Sequence, residues 1–244
     1  MNSKRRTAII VGVLYIIGTV AGILSVVLYA PILNVPDYLT KVSANANQIV
    51  IGALFVLTMG LALAMVPVMM FPIFRKHNEA LALGYVVFRG ALETVTYITL
   101  VISRLLLILV SQEYVAAGAP DAPYFQTLGA LLLQGHDYSI NPIGIIIFSL
   151  DALMLYYVFY QSKLIPRWIS VWGFIAILMH VTTAFLVWFR LVSPGMSPTL
   201  FVFNFPILIQ EMVMAVWLIV KGFNPVAIAA GAAKTATNEL LSAA

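Results

Sequence analysis

Apolar residues fill this chain in long unbroken runs separated by short polar segments, with no strand-like alternation. Six runs, 7–30, 48–73, 80–110, 142–162, 166–189 and 200–220, reach the length of about 20 helical residues that a hydrocarbon core requires. They predict an all-α fold, a polytopic membrane bundle of six transmembrane helices. The third run is the longest and should tilt strongly or protrude. Pro142 and Pro166 fall where a helix starts, the place where proline's missing N–H is harmless, and Gly222 followed by Pro225 reads as the stop of the sixth span. Pro67 and Pro206 lie inside spans and predict kinks, each freeing a carbonyl that something must satisfy. The first run follows Lys4, Arg5 and Arg6, as a signal peptide would. It continues well beyond a signal core, and Leu28 stands where cleavage after Ala30 would want a small residue, so it reads as a retained span.

Segment 111–141 is predicted to be a long external loop, within which 122–134 is apolar enough to lie on the membrane surface as a short helix capping the bundle. Residues 1–223 form one expected membrane domain, and 224–244 an alanine-rich cytoplasmic tail. Gly18 and Gly22 stand in GxxxG spacing, a packing signal, and Gly173, Ala176 and Ala184 fall near one face of the fifth span. The halves on either side of the long loop show no residue correspondence that would mark an inverted repeat.

Composition agrees with the pattern: 62% of the 244 residues are hydrophobic and 9% charged, with a mean hydropathy of +1.02. A water-soluble domain cannot cover that much apolar surface. The net charge of +4 does not indicate nucleic acid, because the basic residues sit at the ends of apolar runs. Lys4, Arg5, Arg6, Arg75, Lys76, Lys163, Arg167, Lys221 and Lys234 collect on one side, and only Lys41 and Arg190 on the other. That asymmetry predicts both termini in the cytoplasm and residence in the cell membrane. Glu113, Asp121 and Asp137, with no basic residue, suit an external loop. The absence of cysteine excludes disulfides, thiolate metal sites and a cysteine nucleophile.

Ionisable residues at membrane depth are costly, and each is a functional candidate. At about 1.5 Å per residue, Arg89 and Glu211 lie roughly 15 Å from the cytoplasmic end, Asp151 slightly deeper, and Glu93 and His180 roughly 20 Å. These five groups on four helices share a layer near the midplane. They are the candidates for binding or proton relay. Arg104 lies closer to the outer surface and is expected to snorkel there. Arg89 and Glu93, four apart, share a helix face and are most simply an intrahelical ion pair. Thr96, Ser103 and Arg104 extend that face into a polar stripe expected to look inward. Asn204 and Glu211 share a face of the sixth span. His180 could simply hydrogen-bond a neighbouring helix. Trp168, Trp172, Trp188 and Trp217 read as interface anchors or packing rather than a ligand cage. With one arginine against three carboxylates the layer would carry 1 − 3 = −2, so a carboxyl, Glu211 first, should hold a proton, or a divalent cation should be imported.

HExxH, GxSxG, the phosphate-binding glycine loop and GxGxxG are all missing. Glu93, Asp151, His180 and Glu211 have metal-ligand types without diagnostic spacing, as do the adjacent His136 and Asp137 in the outer loop. No cofactor is specified.

Four segments carry a family resemblance: AIIVGVLYIIGTVAG (8–22), YVVFRGALE (85–93), LYYVFYQSKLIPRWISVWGF (155–174) and EMVMAVWLIVKGF (211–223). Through them the chain resembles the bacterial membrane proteins of domain-of-unknown-function family 4386, over nearly all of residues 7–223. The resemblance implies the architecture and a bacterial origin, and no activity. Three functions remain open: binding or translocation of a small solute or proton, an embedded enzyme acting on a lipid-like substrate with Glu211 or Asp151 as acid or base, and a partner or sensor subunit whose polar layer is structural. The expected partners are the lipid bilayer and that solute or proton, with self-association left open.

Overall fold

The computed structural model describes residues 3–118, 123–195, 197–231 and 233; Asp121, Lys234 and the tail from 234 onward lie outside them. Among the described residues all regular structure is helical. The elements are α1 (Ser3–Leu33), α2 (Tyr38–Ala44), α3 (Ala46–Phe74), α4 (Glu79–Tyr85), α5 (Glu93–Ala116), α6 (Pro123–Gly135), α7 (Asn141–Ser162), α8 (Arg167–Trp188) and α9 (Pro198–Val220). A π-helical segment, Val86–Leu92, joins α4 to α5, and another, His136–Ile140, joins α6 to α7. Among the described residues six continuous helices are thereby long and apolar enough to cross a membrane, the third and fourth spanning Glu79–Ala116 and Pro123–Ser162.

Neighbours in contact run α5, α3, α1, α9, α8, α7 and back to α5, a closed ring. Large aliphatic side chains lie on its outside, with Leu61 66% and Leu178 68% exposed, the arrangement expected where lipid covers the protein. Small residues set the close approaches. A Cβ at Gly18 would stand 2.7 Å from Leu63 and one at Gly22 2.8 Å from Met59, so the GxxxG face of α1 packs on α3. A Cβ at Gly12 would stand closer still to α9, 2.5 Å from the Ala215 carbonyl.

Arg5 brings the two ends of the chain together. Its Nη1 donates to the Leu218 carbonyl at 2.9 Å and its Nη2 to those of Ile219 and Val220 at 2.5 and 3.1 Å. These are last-turn acceptors of α9 left without helical partners, and a cation there also meets the negative end of the helix dipole. The start of α1 and the end of α9 therefore share one end of the bundle, called the terminal end below. Lys221 follows α9, and Gly222 takes the left-handed conformation (φ 74°) that ends it.

Segment 111–141 departs from the loop expected of it. Helix α5 runs to Ala116, and 123–140 is helical and continuous with α7. Helix α6 packs along α5, with Ser103 Oγ donating to the Leu132 carbonyl at 2.9 Å and Gln126 Nε2 to Tyr114 Oη at 3.3 Å. Its Gly129 rests on Tyr38 and Leu39 of α2. Pro142 therefore sits inside a long helix. The preceding π segment, in which the Asn141 N–H reaches back to the His136 carbonyl, provides a wider turn where the proline ring would otherwise meet the carbonyl four residues back.

Candidate functional site

Four of the five midplane candidates converge inside the ring. Arg89 comes from the first π segment, Glu93 from the start of α5, Asp151 from α7 and Glu211 from α9. Arg89 Nε lies 3.2 Å from Glu93 Oε2, Nη1 lies 3.6 Å from Asp151 Oδ1, and Nη2 lies 3.4 Å from Glu211 Oε1. Arg89 is the buried residue of its π segment, where the wider turn resets the helical register just ahead of Glu93. Its guanidinium also faces the rings of Phe148 at 4.9 Å and Tyr15 at 5.7 Å.

Desolvating a charge this deeply requires every neighbour to compensate, and the neighbours do so unequally. Tyr97, one turn after Glu93, donates its hydroxyl to Glu93 Oε1. Asp151 is buried beside Glu93, and the Arg89 guanidinium is its cationic neighbour. Arg89, Glu93 and Asp151 are almost fully enclosed, whereas the Glu211 side chain keeps 13% of its surface. Glu211 is the accessible member.

The exposed edge of Glu211 faces a cavity of about 420 Å³, whose wall also carries Glu93, Thr96, Tyr97, Phe148, His180 and Asn204. A second cavity of about 340 Å³ shares Ser25, Leu100, His136, Asn141 and Asn204 with the first and reaches Asn34, Pro194 and Gly195 in the loops opposite the terminal end. The two cavities adjoin, one against the carboxylates and the other against those loops. Below the cluster the bundle is packed. Tyr15 and Tyr85 share a hydroxyl hydrogen bond of 3.1 Å, and Tyr156 donates to Gln210 Oε1 at 2.5 Å while Gln210 Nε2 donates to the Ile169 carbonyl at 3.0 Å. Phe74, Met70 and Met214 are fully buried in the same apolar cluster as Tyr15, Tyr85 and Tyr156.

His180 stands apart from the ion cluster. Its Nδ1 is 2.7 Å from Asn204 Oδ1, and its ring meets Phe148 edge-on at 5.0 Å, so Phe148 separates it from Arg89. Among the described residues no three His, Asp or Glu side chains form a metal-holding group. Of the weak metal candidates, Glu93, Asp151 and Glu211 have the Arg89 guanidinium among their carboxyls, and His180 pairs with Asn204 instead. His136 and Asp137 touch at 3.1 Å with no third ligand among the described residues. Arg104 does not snorkel into water. It is 7% exposed, over the Tyr29 ring at 5.6 Å and with Nη2 3.8 Å from Asp137 Oδ1, because α6 covers the outer half of α5.

Sequence reasoning missed Tyr15, Tyr97, Phe148 and the Tyr156–Gln210 pair. The position of Tyr97, four after Glu93, was a usable signal. The others are ordinary apolar-span residues whose roles come from neighbouring helices. No curated protein and no solved structure matches the chain. The family model described as "Domain of unknown function (DUF4386)" matches residues 10–222, and with that coverage this multi-pass membrane chain belongs to that family.

Proposed function

We propose that this protein binds a small cationic solute or a proton through the cavity that ends on Glu211, and passes it across the membrane. The observation carrying this reading is the half-open carboxylate cluster. Three carboxyls face one arginine, and the accessible one lines a cavity that adjoins a second reaching the loops opposite the terminal end. A charge of −2 in a low-dielectric layer calls for protons or a cationic guest, and a guest entering that cavity meets Glu211 first. Aromatic and polar walls from Tyr97, Phe148, His180 and Asn204 suit a small ammonium-bearing molecule, and the cavity volume lies within the range of small-molecule sites.

The packed tyrosine layer below the cluster supports an inactive half, so that a path to the terminal end would need it to open. The lysine and arginine bias supports a reading in which that end, with both termini, faces the cytoplasm across a cell membrane, and residues 1–223 act in it as one membrane domain. The embedded-enzyme reading has less support, because it asks for an activated metal or water at the carboxyls and finds Arg89 there. A purely structural layer would want a closed, dry core, which the partly exposed Glu211 argues against.

Proteoliposomes containing a pH-sensitive dye test the proposal. Adding a series of small alkylammonium ions outside should produce proton movement or ammonium uptake that Glu211→Gln abolishes. Absence of any flux or binding in the wild type, or flux indifferent to Glu211→Gln, overturns it.

A further inference from the structure

A second site lies at the terminal end, away from the carboxylate cluster. The turn between α7 and α8 and the end of α9 enclose a cavity of about 440 Å³ whose wall carries Lys163, Arg167 and Lys221 and no acidic residue. Backbone holds its shape: Leu164 and Ile165 are buried, and the Asn224 N–H donates to the Leu164 carbonyl at 2.9 Å. Arg167 is oriented by its Nε, which donates to the Tyr160 carbonyl at 3.2 Å, and by stacking over the Tyr160 ring at 4.7 Å. Among the described residues none of the three cations forms an ion pair.

Trp217 and Lys221 also line a neighbouring groove of about 420 Å³ along the outer face of α9, otherwise walled by aliphatic residues and Met212. Trp168 meets Trp217 edge-on at 6.5 Å, and its outer face is half exposed. The groove lies among lipid-facing residues, and the cavity lies where the spans end. A basic pocket therefore opens directly into an apolar channel.

We propose that this is a binding site for an anionic phospholipid, with the headgroup phosphate among Lys163, Arg167 and Lys221 and an acyl chain along α9. Three cations without a carboxylate select a net negative headgroup; a zwitterionic one would bring its ammonium against them. The adjoining groove distinguishes a lipid from free phosphate, which has no use for an apolar wall. Basic pockets between spans on the cytoplasmic side are a recurrent headgroup chemistry, and each such charge changes affinity by about fivefold.

Native mass spectrometry of the full chain in detergent, with phosphatidylglycerol or phosphatidylcholine added, reads the site. Phosphatidylglycerol should be retained preferentially. Joint replacement of Lys163, Arg167 and Lys221 by Gln should weaken retention on the order of a hundredfold without lowering the melting temperature. If that variant does not fold, Arg167→Gln alone should give about a fivefold loss. Val216→Trp, filling the groove, should weaken long-chain more than short-chain phosphatidylglycerol. Equal retention of the two lipids, retention unchanged in the charge variants, or inorganic phosphate displacing the lipid with no effect of Val216→Trp would overturn the proposal, the last identifying a free-anion site.

Discussion

Arg89 Nη2 and Glu211 Oε1 lie 3.4 Å apart across 122 positions of sequence, and their contact is where the buried cluster meets the cavity. Glu211 thus has two environments, a cation on one side and open space on the other. The same arginine holds Glu93 on its own helix and Asp151 on α7. A proton or guest cation arriving at Glu211 weakens its hold on Arg89 and alters the balance of attraction on the other two carboxyls. Occupancy of the cavity is in this way coupled to contacts among three helices.

Removal of Arg89 should therefore cost more than removal of any one carboxyl. Arg89→Met leaves three desolvated carboxyls without a cation, a loss of about 3–5 kcal/mol. Asp151→Asn in the same chain should recover part of it. Melting temperatures in detergent for the two singles and the double variant measure the coupling; additive effects would mean that Arg89 and Asp151 do not interact.

The charge count gives a spectroscopic prediction. With one arginine for three carboxyls, the metal-free protein should show a protonated-carboxyl infrared band at pH 7, reduced in Glu211→Gln. A spectrum with every carboxyl ionised would mean that the layer is well hydrated.

Packing of α1 can be tested at Gly12, with Gly135 of α6 as the control. At Gly12 a Cβ would fall 2.5 Å from the Ala215 carbonyl and 2.6 Å from Ile219, whereas at Gly135 nothing lies within 4 Å. Gly12→Val should destabilise by about 1–3 kcal/mol through forced separation of α1 and α9. Gly135→Ala should be neutral or slightly stabilising, since alanine is the better helix former. Thermal denaturation compares them directly.

The proposed orientation has a clean test because the chain contains no cysteine. Single cysteines at Lys41 and Ala117 should react with an impermeant maleimide from outside intact cells. Those at Lys76 and Lys163 should react only after permeabilisation. The opposite pattern would place both termini outside.

Six apolar helices were legible in the sequence because each must be long enough to cross hydrocarbon and must satisfy its own backbone, which leaves a strong local signal. That Arg89, Glu93, Asp151 and Glu211 lie at one level of the bundle was legible for the same reason, as helical rise converts position into height. The Arg89–Glu93 pair was legible too, from its spacing of four on one helix; that Asp151 and Glu211 come to the same guanidinium was not, since height says nothing of which neighbouring helix a side chain faces. His180 shares their layer yet stands behind Phe148 with Asn204. The helical continuation of 123–135 into α7 also escaped a reading in which Pro142 marked a helix start. A π turn, local in sequence but supported by packing against α5, carries the helix through that proline. The cavity above Glu211 and the packed tyrosines below it arise from contacts among α1, α3, α4, α5, α7, α8 and α9. Each residue's own sequence window determines that it is helical and apolar; the surrounding ring decides whether it meets water, lipid or another charge.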